Sequence, residues 1–81
     1  MIITSYTFDP QADAAYGYVG EGPIADTEEV ADGIIVDRDA EGRPVGVEVL
    51  GVRRRLGGGD LESFLKGLAE GLFVERLEAA E

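Results

Sequence analysis

The stretch from Val30 to Leu50, VADGIIVDRDAEGRPVGVEVL, constrains the fold more than any other part of the chain. Asp32-Gly33 stands between Val30 and the apolar run Ile34, Ile35 and Val36. Asp-Gly is a favoured pair where a two-residue hairpin loop needs positive φ, so the chain is expected to reverse there. After a second turn around Ala40-Glu41-Gly42, Val45, Val47 and Val49 alternate with Gly46, Glu48 and Leu50. That period of two sends the three valines to one face of a sheet, and on the preceding strand it sets Ile34 and Val36 against Ile35 and Asp37. Pro44 has no amide hydrogen to give a ladder and belongs at the start of its strand. Two turns joining three strands is the expected result.

The flanking segments extend the pattern. Ile2 to Phe8 reads as a strand, with Ile2, Thr4, Tyr6 and Phe8 on one face and Ile3, Ser5 and Thr7 on the other. Asp9-Pro10-Gln11-Ala12-Asp13 carries turn chemistry, because Asp accepts local backbone bonds and Pro presets φ. Ala14 to Val19 follows as a strand with Tyr16 and Tyr18 on one face, and a hairpin would let Tyr6, Phe8, Tyr16 and Tyr18 meet as cross-strand aromatics. Gly17 weakens that strand or marks a close backbone approach. Gly20-Glu21-Gly22-Pro23 is a loop, and Asp26 to Val30 is an edge strand whose Glu28 and Glu29 discourage further pairing.

Residues 53–59, Arg53-Arg54-Arg55-Leu56-Gly57-Gly58-Gly59, read as the end of the sheet and a flexible connector. Asp60 is placed to cap a helix in which Leu61, Phe64, Leu65, Leu68 and Leu72 form one apolar stripe, with Glu62, Lys66 and Glu70 outside it. Gly67 and Gly71 each cost about 1 kcal/mol relative to Ala in a helix interior, so packing must hold this helix, against the sheet or against a second copy. Phe73, Val74 and Leu77 extend it with a rotated face or begin a separate packing segment, and Glu78 to Glu81 are expected to fray. The expected fold class is α+β: an antiparallel meander of four or five strands (1–52), the connector (53–59) and one carboxy-terminal amphipathic helix (60–77), in a single domain of residues 1–81.

Eighty-one residues bury only about 60% of the surface their unfolded chain exposes, so self-association is expected. The chain has no cysteine and no histidine. Thiolate and imidazole chemistry, including their metal sites, is thereby excluded. No basic leader followed by an apolar run and no span of about 20 apolar residues is present, which predicts a cytoplasmic protein. Residues 1–50 hold 11 acids against 2 bases, and residues 51–81 hold 6 against 5. A field of that sign repels nucleic acid and anionic lipid, and favours basic partners or simply a solvated acidic surface.

Phe8-Asp9-Pro10-Gln11-Ala12-Asp13-Ala14-Ala15-Tyr16, then Asp32-Gly33-Ile34-Ile35-Val36-Asp37 and Gly42-Arg43-Pro44-Val45-Gly46-Val47-Glu48-Val49-Leu50, resemble the pattern of a small prokaryotic family known only as a domain of unknown function. The resemblance covers roughly residues 6–50. It implies an antiparallel sheet with a helix, no established activity, and by association a role as an antitoxin-like partner of a small toxin. This chain departs from the pattern at Phe8, Ala15 and Gly17, so a looser second strand is expected.

Three constellations invite a chemical reading. Asp37, Asp39 and Glu41, then Gly42, with Glu48 beyond, have the spacing of a calcium loop. The longer Glu at the fifth position, Pro44 at the eighth and the strand-like flanks oppose it. Asp9 and Asp13, with Asp37, could form a carboxylate pair for acid/base work, although turn formation already accounts for Asp9. Arg53-Arg54-Arg55 could grip phosphate, but on so acidic a chain they are expected to pair with its own carboxylates or with a neighbouring subunit. Gly57-Gly58-Gly59 lacks the Lys and Ser/Thr of a phosphate cradle, and Gly67-x-x-x-Gly71 is a weak cue for close helix approach.

The function expected from the sequence is a non-enzymatic binding or assembly module without a cofactor. It would be antitoxin-like toward a basic protein and would use the stripe Leu61, Phe64, Leu65, Leu68 and Leu72, or a sheet edge, as its interface. The alternatives are a metal-dependent or carboxylate enzyme built on Asp37, Asp39, Glu41 and Glu48, and a purely structural homo-oligomer.

Overall fold

The computed structural model describes the backbone of residues 3–80 and the side chains of residues 3–71. Five strands, β1 (Ser5–Asp9), β2 (Ala14–Tyr18), β3 (Asp26–Ala31), β4 (Ile34–Arg38) and β5 (Pro44–Leu50), precede α1 (Val52–Leu56) and α2 (Leu61–Ala80). All neighbouring strands are antiparallel. Their order is β1-β2-β5-β4-β3: a hairpin and a three-strand meander, joined where β5 pairs with β2. The α+β class is as expected from the sequence, but β5, the richest in valine, occupies the centre and the chain crosses from one side to the other between β2 and β3.

The period-two reading of the central strands holds. Ile34, Val36, Val45, Val47 and Val49 are all buried on one face. Against that face α2 lays Leu65, wholly inaccessible, and Ala69, with Leu61, Phe64 and Leu68 packed around them. The stripe that sequence offered as an interface is therefore core, because one sheet face has no other cover; the side chain of Leu72 lies outside the described residues. Asp60 caps α2 as expected, accepting from the Ser63 amide at 2.7 Å. The helix continues to Ala80, beyond the expected 77.

Four local expectations are corrected. Residues 52–56 form a helix, not a flexible connector: Val52 is buried in the core, and Gly51 and Gly57, both at positive φ, bound the turn. The Arg53 guanidinium donates to the Pro10 carbonyl at 2.9 Å, and that of Arg55 donates to the carbonyls of Leu50 and Asp32 at 2.6 and 2.5 Å, so α1 is tied to both hairpin ends. The chain reverses at Asp32-Gly33 as expected, but only the glycine has positive φ and the strands meet through a bulge at Val30. The four-aromatic cluster does not form. Tyr6 and Phe8 register with Gly17 and Ala15 on the helix side, whereas Tyr16 and Tyr18 register with Thr7 and Ser5 on the opposite face.

The last correction concerns Ile3. A Cβ at Gly17 would come within 2.9 Å of the Ile3 side chain, and Ile3 is buried at 7% exposure. Ile3 fills the room the glycine leaves, so Gly17 marks a close approach. Alternation alone would place Ile3 with Ser5 and Thr7, but the regular ladder begins only at Ser5.

Candidate functional site

With both helices on one side, the other face of the sheet has no second layer among the described residues. Register puts Ser5, Thr7 and Asp9 of β1 on this open face, with Tyr16 and Tyr18 of β2, Gly46, Glu48 and Leu50 of β5, Ile35 and Asp37 of β4, and Thr27 and Glu29 of β3. Four of these are carboxylates and none is Lys or Arg. Tyr18 and Leu50 are among the exposed large apolar side chains, at 41% and 39%.

The centre of the face is a hydrogen-bonded group. Tyr16 donates its hydroxyl to Asp37 Oδ2 at 2.5 Å, and Thr27 donates to Oδ1 at 2.6 Å, so both oxygens of the Asp37 carboxylate are held. Tyr16 sits two strands from Asp37, and its ring reaches across β5 because Gly46 lies between; a Cβ at Gly46 would overlap the phenol. Glu48 is the register partner of Tyr16 on one side and Ile35 on the other. Tyr18 stacks at a tilt on Tyr16, ring centroids 4.9 Å apart. Burial, then the hydrogen bond to Asp37, raises the Tyr16 hydroxyl above its ordinary pKa and keeps it a donor. Tyrosine faces beside carboxylates are chemically suited to a cation carried on an apolar stem.

The calcium-loop residues do not converge. Asp37 serves the open face. Asp39 closes its own turn, accepting from the amides of Arg43 and Glu41 at 2.9 and 3.0 Å and from the Arg43 guanidinium at 3.0 Å. The Arg43 amide, and secondarily its guanidinium, hold the Asp39 carboxyl below its usual range. Glu41 pairs with Arg43 at 3.3 Å, and Glu48 lies in mid-strand. Among the described residues no three acidic groups are placed to share an ion.

The residues of the other two constellations bond separately among the described residues. Asp9 accepts from the Gln11 and Ala12 amides, and Asp13, at positive φ, accepts from the Arg53 amide and pairs with its guanidinium at 3.6 Å. Both carboxylates are turn and cross-link groups; Asp9 lies at the end of β1 on the open face, and neither bonds to Tyr16 or Asp37. Arg53 also lies over the Phe8 ring at 6.0 Å, so the arginines mostly bind their own chain. Sequence reasoning missed the Tyr16–Asp37–Thr27 group. Its signal was Gly46, a glycine inside the strongest strand, where a close approach by another group is the usual reason.

A sheet with one helix-covered face and one open face of tyrosine and carboxylate defines a small α+β surface-presenting domain. The chain belongs to the family described as protein of unknown function DUF2283, which matches residues 5–53, the five strands and the start of α1. No curated protein and no solved structure matches. Among the described residues no helix is long and apolar enough to cross a membrane.

Proposed function

We propose that this protein is a non-enzymatic binding module of the cytoplasm whose open sheet face receives a basic segment of another protein, as an acidic antitoxin receives the partner it neutralises. The observation that carries this reading is the composition of that face: Asp9, Glu29, Asp37 and Glu48 with Tyr16 and Tyr18, and no cationic strand residue to neutralise them. Arg and Lys side chains bring a charge for the carboxylates and an apolar stem for the rings, and Arg adds planar stacking on tyrosine. The net charge of −10 steers a basic partner in and turns nucleic acid away.

The test is co-purification of the full chain from its native cell at low and moderate salt, beside Tyr18→Arg. Tyr18 is exposed, so the substitution adds a positive charge to the face and leaves the core alone. The expected result is a stoichiometric basic protein that the wild type retains, that salt weakens and that Tyr18→Arg does not capture. Recovery of the protein alone at both salt concentrations overturns the reading. A gene beside this one encoding a small basic ribonuclease-like product would name the first candidate.

A further inference from the structure

The two edges of the sheet differ in how they resist pairing. β3 carries Asp26, Glu28 and Glu29 and ends in a bulge, all devices that keep other strands away. β1, Ser-Tyr-Thr-Phe-Asp, has no charge before its last residue, no proline and an unbroken register with β2. Every residue of β1 is exposed, and Tyr6 and Phe8 are each 40% exposed on the helix side.

The free backbone groups of β1 can be assigned. Val19 donates its amide to the Val45 carbonyl at 2.9 Å, which fixes the residues in step with it, Ala15 and Gly17, as bonded to β5. Successive residues of an antiparallel strand bond to alternate sides, so Tyr16 and Tyr18 bond to β1, and their register partners Thr7 and Ser5 turn their amides inward. Tyr6 and Phe8 present their N–H and C=O groups outward.

We infer that a second copy of this chain pairs with that edge, β1 against β1 about a two-fold axis at Thr7. This register alone pairs all five residues of the strand. It opposes Tyr6 to the partner's Phe8 and Phe8 to the partner's Tyr6, which satisfies the four outward groups on each side. The one charge of the strand, Asp9, falls opposite a serine hydroxyl, Ser5, and not opposite its own copy. Beside Tyr6 an open groove of about 170 Å³ runs between the start of β1 and α2, lined by Ile3, Thr4, Ser5, Tyr6, Glu62 and Lys66. The incoming Phe8 ring lies on the same side of the sheet, at the mouth of that groove. Pairing about such an axis keeps like faces together and joins two open faces into one.

Sedimentation equilibrium of the full chain, with and without Phe8→Pro, tests this. Proline leaves an edge strand intact where its amide faces outward, so the variant keeps its fold by circular dichroism while losing the inter-chain bonds. The wild type is expected at twice the 8.6 kDa chain mass and Phe8→Pro at once that mass. Because each copy carries −10, the wild-type dimer strengthens as salt rises, the reverse of the salt response of a basic partner on the open face. The chain is free of cysteine, so Thr7→Cys adds its only thiol, which is expected to cross-link under mild oxidation while Glu28→Cys on the opposite edge does not. A wild type that stays at one chain mass at high concentration and high salt overturns the proposal. A dimer that survives Phe8→Pro and fails to cross-link through Thr7→Cys overturns it as well.

Discussion

Tyr16 reaches Asp37 because a neighbouring residue has no side chain. With Gly46 between them, the phenol lies flat across β5 and closes a hydrogen bond to the carboxylate on the next strand. This contact gives the molecule a response to alkaline pH. Tyr16 in the folded chain ionises above its ordinary value of 10.0, first because it is desolvated and then because ionisation would lose the bond to Asp37 and set two negative charges together. The stability it contributes is fully present below pH 10 and declines above it, as the unfolded chain ionises first. Wild type is therefore expected to lose urea resistance more steeply above pH 10 than Tyr16→Phe, and Tyr16→Phe to be about 1 kcal/mol less stable at neutral pH. Parallel declines for the two proteins would contradict the role assigned to the phenol.

At the scale of elements, α2 is held by the sheet. Its two interior glycines lower its intrinsic propensity, and what fixes it is Leu65 inserted into the valine face, with the Asp60 cap at its start. The Ser63 amide, and then its hydroxyl, lower the Asp60 pKa, so the cap weakens as pH falls below the usual carboxylate range. Leu65→Ala is expected to cost about 2–5 kcal/mol, from lost burial plus the cavity left behind. A domain of this size has only about 4–12 kcal/mol in total. Urea denaturation should therefore show an early transition, and a change below about 1 kcal/mol would mean that α2 does not cover the sheet as described. α1 works differently: its arginines reach backbone carbonyls at two hairpin ends, so a segment rich in charge and glycine becomes a clasp.

Taken whole, the molecule is a one-sided sheet, and its chemistry follows from that asymmetry. Among the described residues the helical cover lies on one side, which leaves the acids and tyrosines of the open face half-buried or exposed with their geometry set by the strands beneath. Calorimetric titration with calcium and magnesium is expected to give no saturable heat, because Asp37 and Asp39 are each held by bonds pointing in different directions and Glu48 is fixed in mid-strand. Heat saturating at one ion per chain and abolished by Asp37→Asn would restore the metal reading. The same asymmetry separates the two associations proposed above: a cation-bearing partner on the open face and a copy of the chain at the β1 edge.

Local pattern was enough to determine an antiparallel meander of four or five strands, the faces of the central ones, the cap at Asp60 and the amphipathic helix, since periodicity and turn chemistry act over a few residues and this chain states them plainly. Only tertiary structure decided that β5 sits beside β2. From that neighbour relation comes the reach of Tyr16 over Gly46 to Asp37, while the β1–β2 register separates Tyr6 and Phe8 from Tyr16 and Tyr18, and the packing of α2 on the sheet makes the leucine stripe core. Strand order depends on which apolar faces close over one another across the whole chain, and side chains distant in sequence meet only after that choice is made.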